Sequence, residues 1–229
     1  PGTANPFYIE TGFVAQDASL KLPKPDSKWT ADSSTLTPAR PVTLSWDNGA
    51  GLVFKRTISV DGQYLFTIKN SVENKSGKPV TLFPYSLVAR TGKPVTAGFY
   101  VLHEGLVGVV GNSKVQEITY DGMAKETNST RVLKGTGGWL GITDKYWAVA
   151  AIPPQDEEFQ GRFWASAGAR KTYQSDVLGK AIMIAPNATG ATTHEIFAGA
   201  KETQIIDSYQ EKYKIKNFDL LIDWGWFYF

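Results

Sequence analysis

An enzyme site needs titratable groups that converge, and this chain offers few. Its two histidines, His103 and His194, are each followed by a glutamate, Glu104 and Glu195. Neighbouring side chains on a strand point to opposite faces, so neither His–Glu pair is a dyad by itself. General acid–base chemistry would require the pairs to meet across the fold; the plainer reading is two ordinary strand or loop histidines. Asp156-Glu157-Glu158, after Pro153-Pro154, could hold calcium but reads more simply as a solvated loop. Gly135-Thr136-Gly137-Gly138 lacks the Lys-Ser/Thr of a phosphate loop and reads as a turn. Nucleophile-elbow, zincin and dinucleotide motifs do not occur. With no cysteine in 229 residues, thiolate nucleophiles, Cys-ligated zinc and iron–sulfur clusters are excluded. Lys+Arg 24 against Asp+Glu 22 leaves a net charge of +2, no field for steering nucleic acid. No catalytic residue, metal or cofactor is therefore assigned, and no nucleic-acid partner is expected. Three glycosylation-type triplets begin at Asn74, Asn128 and Asn187, but such short matches arise by chance.

The aromatic residues carry more information. Trp139, Trp147 and Trp164 sit in apolar runs, where core packing explains them; a sugar-stacking platform is the alternative. The stretch from Asn217 to Phe229, NFDLLIDWGWFYF, holds six aromatics in thirteen residues. Phe218, Leu220, Leu221, Trp224, Phe227 and Tyr228 can form one apolar stripe, with Asp219 and Asp223 on a polar side. Each aromatic carries roughly 150–250 Å² of burial. Left bare, the group would exceed the ~300–600 Å² patch a soluble monomer tolerates. It must dock on its own domain, a partner or lipid. Trp and Tyr favour the membrane interface, where amphipathic helices lie in the plane. An interfacial helix is the reading adopted, a buried C-terminal helix the alternative, and Gly225 could mark a bend. Phe218, Leu220, Leu221, Trp224, Trp226 and Phe227 are the expected membrane or partner docking residues. Both ends of the chain are expected to be cuts in a longer protein.

The elements that position these residues are mostly strands. Leu52, Phe54, Ile58 and Val60 alternate with polar residues, broken only by Arg56; after Asp61-Gly62 the alternation resumes through Tyr64, Phe66, Ile68 and Val72. Two such runs joined by Asp-Gly predict a hairpin. A third strand follows Asn74–Pro79, with Pro84 expected at an edge or bulge. Further short strands are predicted at 99–102, 106–110, 115–120, 139–143, 147–152, 162–167, 171–175, 181–185 and 193–198, with glycines between them. Asp17–Arg40 reads as an extended loop. Ile205, Ile206, Tyr209 and Tyr213 lie at helical spacing, the one convincing helix. Many short strands without crossover helices predict a mainly β sandwich or barrel.

At FDLLIDWGWFYF the chain resembles the YidC membrane protein insertases of Gram-negative bacteria. Upstream segments agree: FKRTISVDGQYLFTIKNSVENKSGKPVTLFPY, KGTGGWLGITDKYWAVAAIPP and IFAGAKETQIIDSYQEKY, with only TGFVAQ in the first forty residues. The resemblance implies an antiparallel β-supersandwich of the galactose-mutarotase type with a C-terminal helical segment. It divides the chain into a periplasmic supersandwich at 1–200, a helix packed on it at 201–216, and the start of a membrane-proximal helix at 217–229. It implies a non-catalytic platform of an insertase and chaperone, in the bacterial inner membrane and facing the periplasm. The implied partners are the protein's own transmembrane domain, Sec translocon components, nascent membrane proteins and lipid near the C-terminus. The competing expectation is a sugar-binding or aldose-epimerase-type domain of the same fold, in which only His103 and His194 could supply acid and base.

Overall fold

The computed structural model describes residues 5–94, 103–223 and 225. The alternating runs form the predicted hairpin of β4 (Leu52–Val60) and β5 (Leu65–Asn74), paired from Leu52↔Asn74 to Val60↔Phe66. The turn chemistry differs from a glycine-driven one. The Asp61 carboxylate accepts from the amides of Gln63 (2.8 Å) and Leu65 (3.0 Å), and Tyr64 takes the left-handed conformation (φ 78°). An aspartate folding its own backbone in this way sets the turn without positive φ at the following glycine.

Among the described residues, six strands make one antiparallel sheet. Its order is β1 (Phe7–Ala15), β6 (Val80–Thr91), β13 (Thr172–Leu178), β12 (Glu158–Ala165) and β9 (Thr130–Thr136), with β14 (Ile182–Ile184) on the far half of β6. Nine strands make the other. They run β2 (Thr30–Ala31), β3 (Val42–Asp47), β4, β5, β15 (Thr189–Ala200), β11 (Trp147–Ile152), β10 (Gly138–Thr143), β7 (Gly105–Val110), β8 (Gln116–Thr119). This is the expected mainly β, antiparallel sandwich. The strands β1, β2, β3 and β9 were not predicted, β2 lying inside the stretch Asp17–Arg40 expected as a loop, and the strand expected at 99–102 lies outside the described residues.

Pro84 is not on an edge. β6 is an interior strand, but β13 leaves it at Tyr85↔Leu178 and β14 joins it at Ile182↔Leu82. Pro84 stands in that gap, its carbonyl accepting from Gly179 (2.8 Å). A residue's N–H and C=O point to the same side of a strand, so the donor proline lacks is missing where no partner strand runs.

Between the sheets lies a core that includes Ile68, Val88, Leu140, Phe163, Tyr173 and Ile196. A second apolar layer covers the outer face of the nine-stranded sheet. There α2 (Thr203–Tyr213) buries Ile205, Ile206 and Tyr209 against Leu65, Val107, Trp139, Ala150 and Phe197. The strands sandwiched on both faces read GLVGVV, GWLGIT and WAVAAI, continuous apolar runs instead of alternating ones. Their glycines fit the close spacing: a Cβ on Gly141 would sit 2.3 Å from the Val149 carbonyl oxygen. Residues 116–123 also differ from expectation. The strand ends at Thr119, whose Oγ1 caps a single turn, α1 (Tyr120–Met123), by accepting from the Gly122 amide (2.9 Å).

Candidate functional site

Helix α2 delivers the C-terminal segment to one end of the sandwich. The Tyr209 hydroxyl donates to Asp61 Oδ2 (2.7 Å), with the Gln63 carbonyl oxygen 2.5 Å away, so the helix is tied to the β4–β5 turn. Burial first, and then the Asp61 carboxylate, raise the Tyr209 pKa and keep the hydroxyl a donor. Lys214 closes the helix in the left-handed conformation (φ 54°), and the Ile215 amide donates back to the Gln210 carbonyl (3.1 Å).

A second reversal follows at Asn217 (φ 49°), leading into a 3₁₀ turn at Phe218–Leu221. Phe218 is 0% exposed. Its ring meets Trp139 edge-on (centroids 5.5 Å, 88°) and Phe197 likewise (5.8 Å, 85°). Trp139 Nε1 donates toward the carbonyls of Lys216 (3.2 Å) and Asn217 (3.3 Å), so one indole both packs and anchors the turn. Gln155 does the same from the other side. Its Oε1 accepts from the amides of Gly138 and Lys216 (each 3.0 Å), and its Nε2 donates to the carbonyls of Gly138 (2.9 Å) and Pro153 (2.8 Å). Sequence reasoning passed over Gln155; its only signal was a polar amide directly after Pro153-Pro154.

Of the six expected docking residues, Phe218 and Leu221 are therefore turned onto the chain's own sheet. Leu220, on the same turn, is half-buried and packs against the same apolar cluster. Trp224, Trp226 and Phe227 lie outside the described residues. Where the chain leaves the sandwich, Ile222 and Asp223 border a hollow with His103, Lys145, Tyr146 and Lys201. Tyr146 is 65% exposed and the adjacent Trp147 57%. The Lys145 ammonium sits 5.2 Å from the Tyr146 ring centre. Lys201 Nζ donates to Thr143 Oγ1 (2.9 Å), and burial draws its pKa below the ordinary lysine value against the opposing pull of nearby carboxylates, Asp144 foremost.

The histidines occupy different surroundings. His194 is fully buried on β15 between the sheets, its Nδ1 3.0 Å from Ser86 Oγ and its Nε2 without a hydrogen-bond partner among the described residues. Burial lowers its pKa to about 4. His103 sits at the C-terminal hollow, its Nε2 3.0 Å from the Leu106 carbonyl oxygen. One ring thus faces a backbone carbonyl and the other a hydroxyl, so each imidazole has its own partner inside the fold. Glu158 pairs with Lys134 (3.2 Å), and no metal-holding group of three His, Cys, Asp or Glu exists among the described residues. Gly135–Gly138, expected as a turn, is mostly strand: Gly135 and Thr136 end β9, Gly138 opens β10, and Gly137 alone (φ 71°) carries the chain from one sheet to the other. Asn74 is buried, its amide donating to the carbonyls of Lys78 (2.8 Å) and Ile184 (3.0 Å).

Two packed antiparallel sheets of this order define a sandwich of the galactose-mutarotase type. A galactose mutarotase related enzyme from Lactobacillus acidophilus superposes with TM-score 0.51 at 11% identity, over 76% of this chain and 71% of that one. A GH36 alpha-galactosidase from Geobacillus stearothermophilus gives 0.50 at 9% identity, over 91% and 30%. Those likenesses carry the fold alone. The family profile described as YidC periplasmic domain matches residues 1–229. Proteins named membrane protein insertase YidC are 58% identical over 229 residues in Beijerinckia indica and 54% over 236 in Methylorubrum extorquens. Another from Rhizobium meliloti is 46% identical over 228. The chain belongs to the YidC periplasmic domain family. It spans 38% of the length of those three relatives, and among the described residues no helix is long and apolar enough to cross a membrane.

Proposed function

We propose that this chain is the non-catalytic periplasmic platform of an inner-membrane protein insertase. Its work is positional: it holds the start of the membrane-proximal segment and presents a surface to the transmembrane domain, Sec translocon components, nascent membrane proteins and lipid. Leu220, Trp224, Trp226 and Phe227 carry the docking. Phe218 and Leu221 clamp the 3₁₀ turn onto the sheet. The observation that carries this reading is the exposed ring of Tyr146 beside Ile222 and Asp223, where the chain leaves the sandwich. An exposed amphipathic aromatic is the surface chemistry of a membrane interface, and here it borders Ile222 and Asp223, which lead into the aromatic C-terminal stretch of the sequence. The insertase activity rests on the relatives named for it.

Liposome flotation tests the reading. The chain should float with vesicles, and a variant with Leu220, Trp224, Trp226 and Phe227 changed to Ser should stay in the dense fraction. Phe218 and Leu221 are left intact, so the sandwich is preserved. Equal partitioning of both proteins removes the membrane reading.

A further inference from the structure

A separate cleft of about 240 Å³ opens between β1, the edge strand of the six-stranded sheet, and β4 of the nine-stranded one. Arg56 stands at its base. It is the residue that breaks the apolar alternation of β4, so a guanidinium points where the pattern calls for a hydrocarbon. Its Nε donates to Asn70 Oδ1 (2.9 Å), its Nη2 donates to the Thr11 carbonyl, and its plane lies 5.4 Å from the Trp29 ring centre. Asn70 is fixed in turn by donating to Thr11 Oγ1 (3.3 Å). A guanidinium offers five donors; among the described residues, Nη1 bonds nothing.

The charge around Arg56 is only partly balanced. It forms none of the ion pairs among the described residues. Glu10, the one carboxylate lining the cleft among the described residues, accepts from the neutral Tyr85 hydroxyl and acts on Arg56 through its field without bonding it. Of the other lining cations, Lys55 is spent on Glu73 and Lys24 is exposed with no carboxylate partner. Burial pulls the Arg56 pKa below its ordinary value, opposed by the fields of Tyr85 and Glu10, yet arginine stays charged at any physiological pH. A cation withdrawn from water with no carboxylate bonded to it is costly. An anion supplied from outside recovers that cost through charge-assisted bonds to a fork already held in place. Phe13, Phe54 and Trp29 supply apolar wall. The loop wall is braced: the Lys24 amide donates to Ser27 Oγ (2.8 Å) and the Ser27 amide to the Lys24 carbonyl (3.0 Å).

We propose that this cleft binds a carboxylate-bearing ligand, its carboxylate on the free Nη1 face of Arg56 and its apolar body against Phe13 and Trp29. A free organic acid and an acidic side chain of an extended peptide share this chemistry. The site goes beyond the docking role and does not rest on it: its residues lie on β1, β4 and the preceding loop, away from the C-terminal turn.

Calorimetric titration of the chain with three probes tests the site: citrate, the blocked pentapeptide Ala-Leu-Glu-Leu-Ala, and its counterpart with Gln for Glu. Binding of the Glu peptide, with the Gln peptide weaker by about tenfold or more, identifies a peptide site. Binding of citrate alone identifies a free-acid site. Either should be lost in Arg56→Gln and weakened several-fold in Lys24→Gln, whose exposed side chain leaves the fold intact. The proposal is overturned if neither acid binds, if the Glu and Gln peptides bind alike, or if both variants bind as wild type. Failure here leaves the flotation result untouched.

Discussion

Truncating Phe218 separates a structural clamp from a lipid anchor. The ring has no exposed surface and closes against Trp139 and Phe197, both themselves buried. Phe218→Ala removes a fully buried aromatic and leaves a void that a sheet held on its other face by the second sheet cannot collapse to fill. Such changes cost about 3–5 kcal/mol, which includes the roughly 0.5–1.5 kcal/mol that each edge-on aromatic pair adds. Leu220→Ala, two residues on in the same turn but half-buried, should cost under about 1.5 kcal/mol because a partly exposed side chain gives up less transfer energy. Urea denaturation followed by tryptophan fluorescence reads both, since Trp139 lies directly against the altered ring. A loss under about 1 kcal/mol for Phe218→Ala, or equal losses for the two variants, would refute the clamp.

Acid should weaken the fold through His194. Its folded pKa is about 4 against 6.5 for the free group, so its contribution is whole above about pH 6.5 and fades as pH falls toward 4. The loss is about 3 kcal/mol by about pH 4, and denaturant midpoints of His194→Gln should show a correspondingly flatter acid limb; parallel curves would contradict the assignment. Gly141→Ala should destabilise by about 1–3 kcal/mol, because the added Cβ would sit 2.3 Å from the Val149 carbonyl oxygen in a strand paired on both sides. Thermal melts measure this, and a neutral result would mean the β10–β11 spacing is looser than described.

The β4–β5 hairpin was legible because alternation and an Asp-Gly turn act locally, although Asp61 and Tyr64, not Gly62, shape it. α2 was legible from the spacing of Ile205, Ile206 and Tyr209. β1 was not: FYIETGFVA mixes polar and aromatic residues without a clean period, and its pairing with β6 lies some seventy residues away in sequence. The C-terminal stripe was read with α-helical geometry. The turn is 3₁₀, in which residues three apart eclipse, so Phe218 and Leu221 share the fully buried side, while Leu220 packs on the edge of the same apolar cluster and stays half-exposed. Arg56 announced itself as a polar residue on an apolar face, but its meaning needed Thr11, Asn70 and Trp29, which only the folded chain brings together. The same holds for His194 and Ser86, 108 residues apart.

The division of labour at the C-terminus is tested most directly by labelling. The chain has no cysteine, so single cysteines at positions 218, 221, 224, 226 and 227 can each carry one environment-sensitive fluorophore, with Met183→Cys, at a 76% exposed site, as the aqueous control. In vesicles containing nitroxide lipids, the account predicts quenching at 224, 226 and 227, none at 183, and slow labelling at 218 and 221 unless the fold is opened with denaturant. Quenching at 218 and 221 equal to that at 224, or no lipid quenching anywhere, would contradict it.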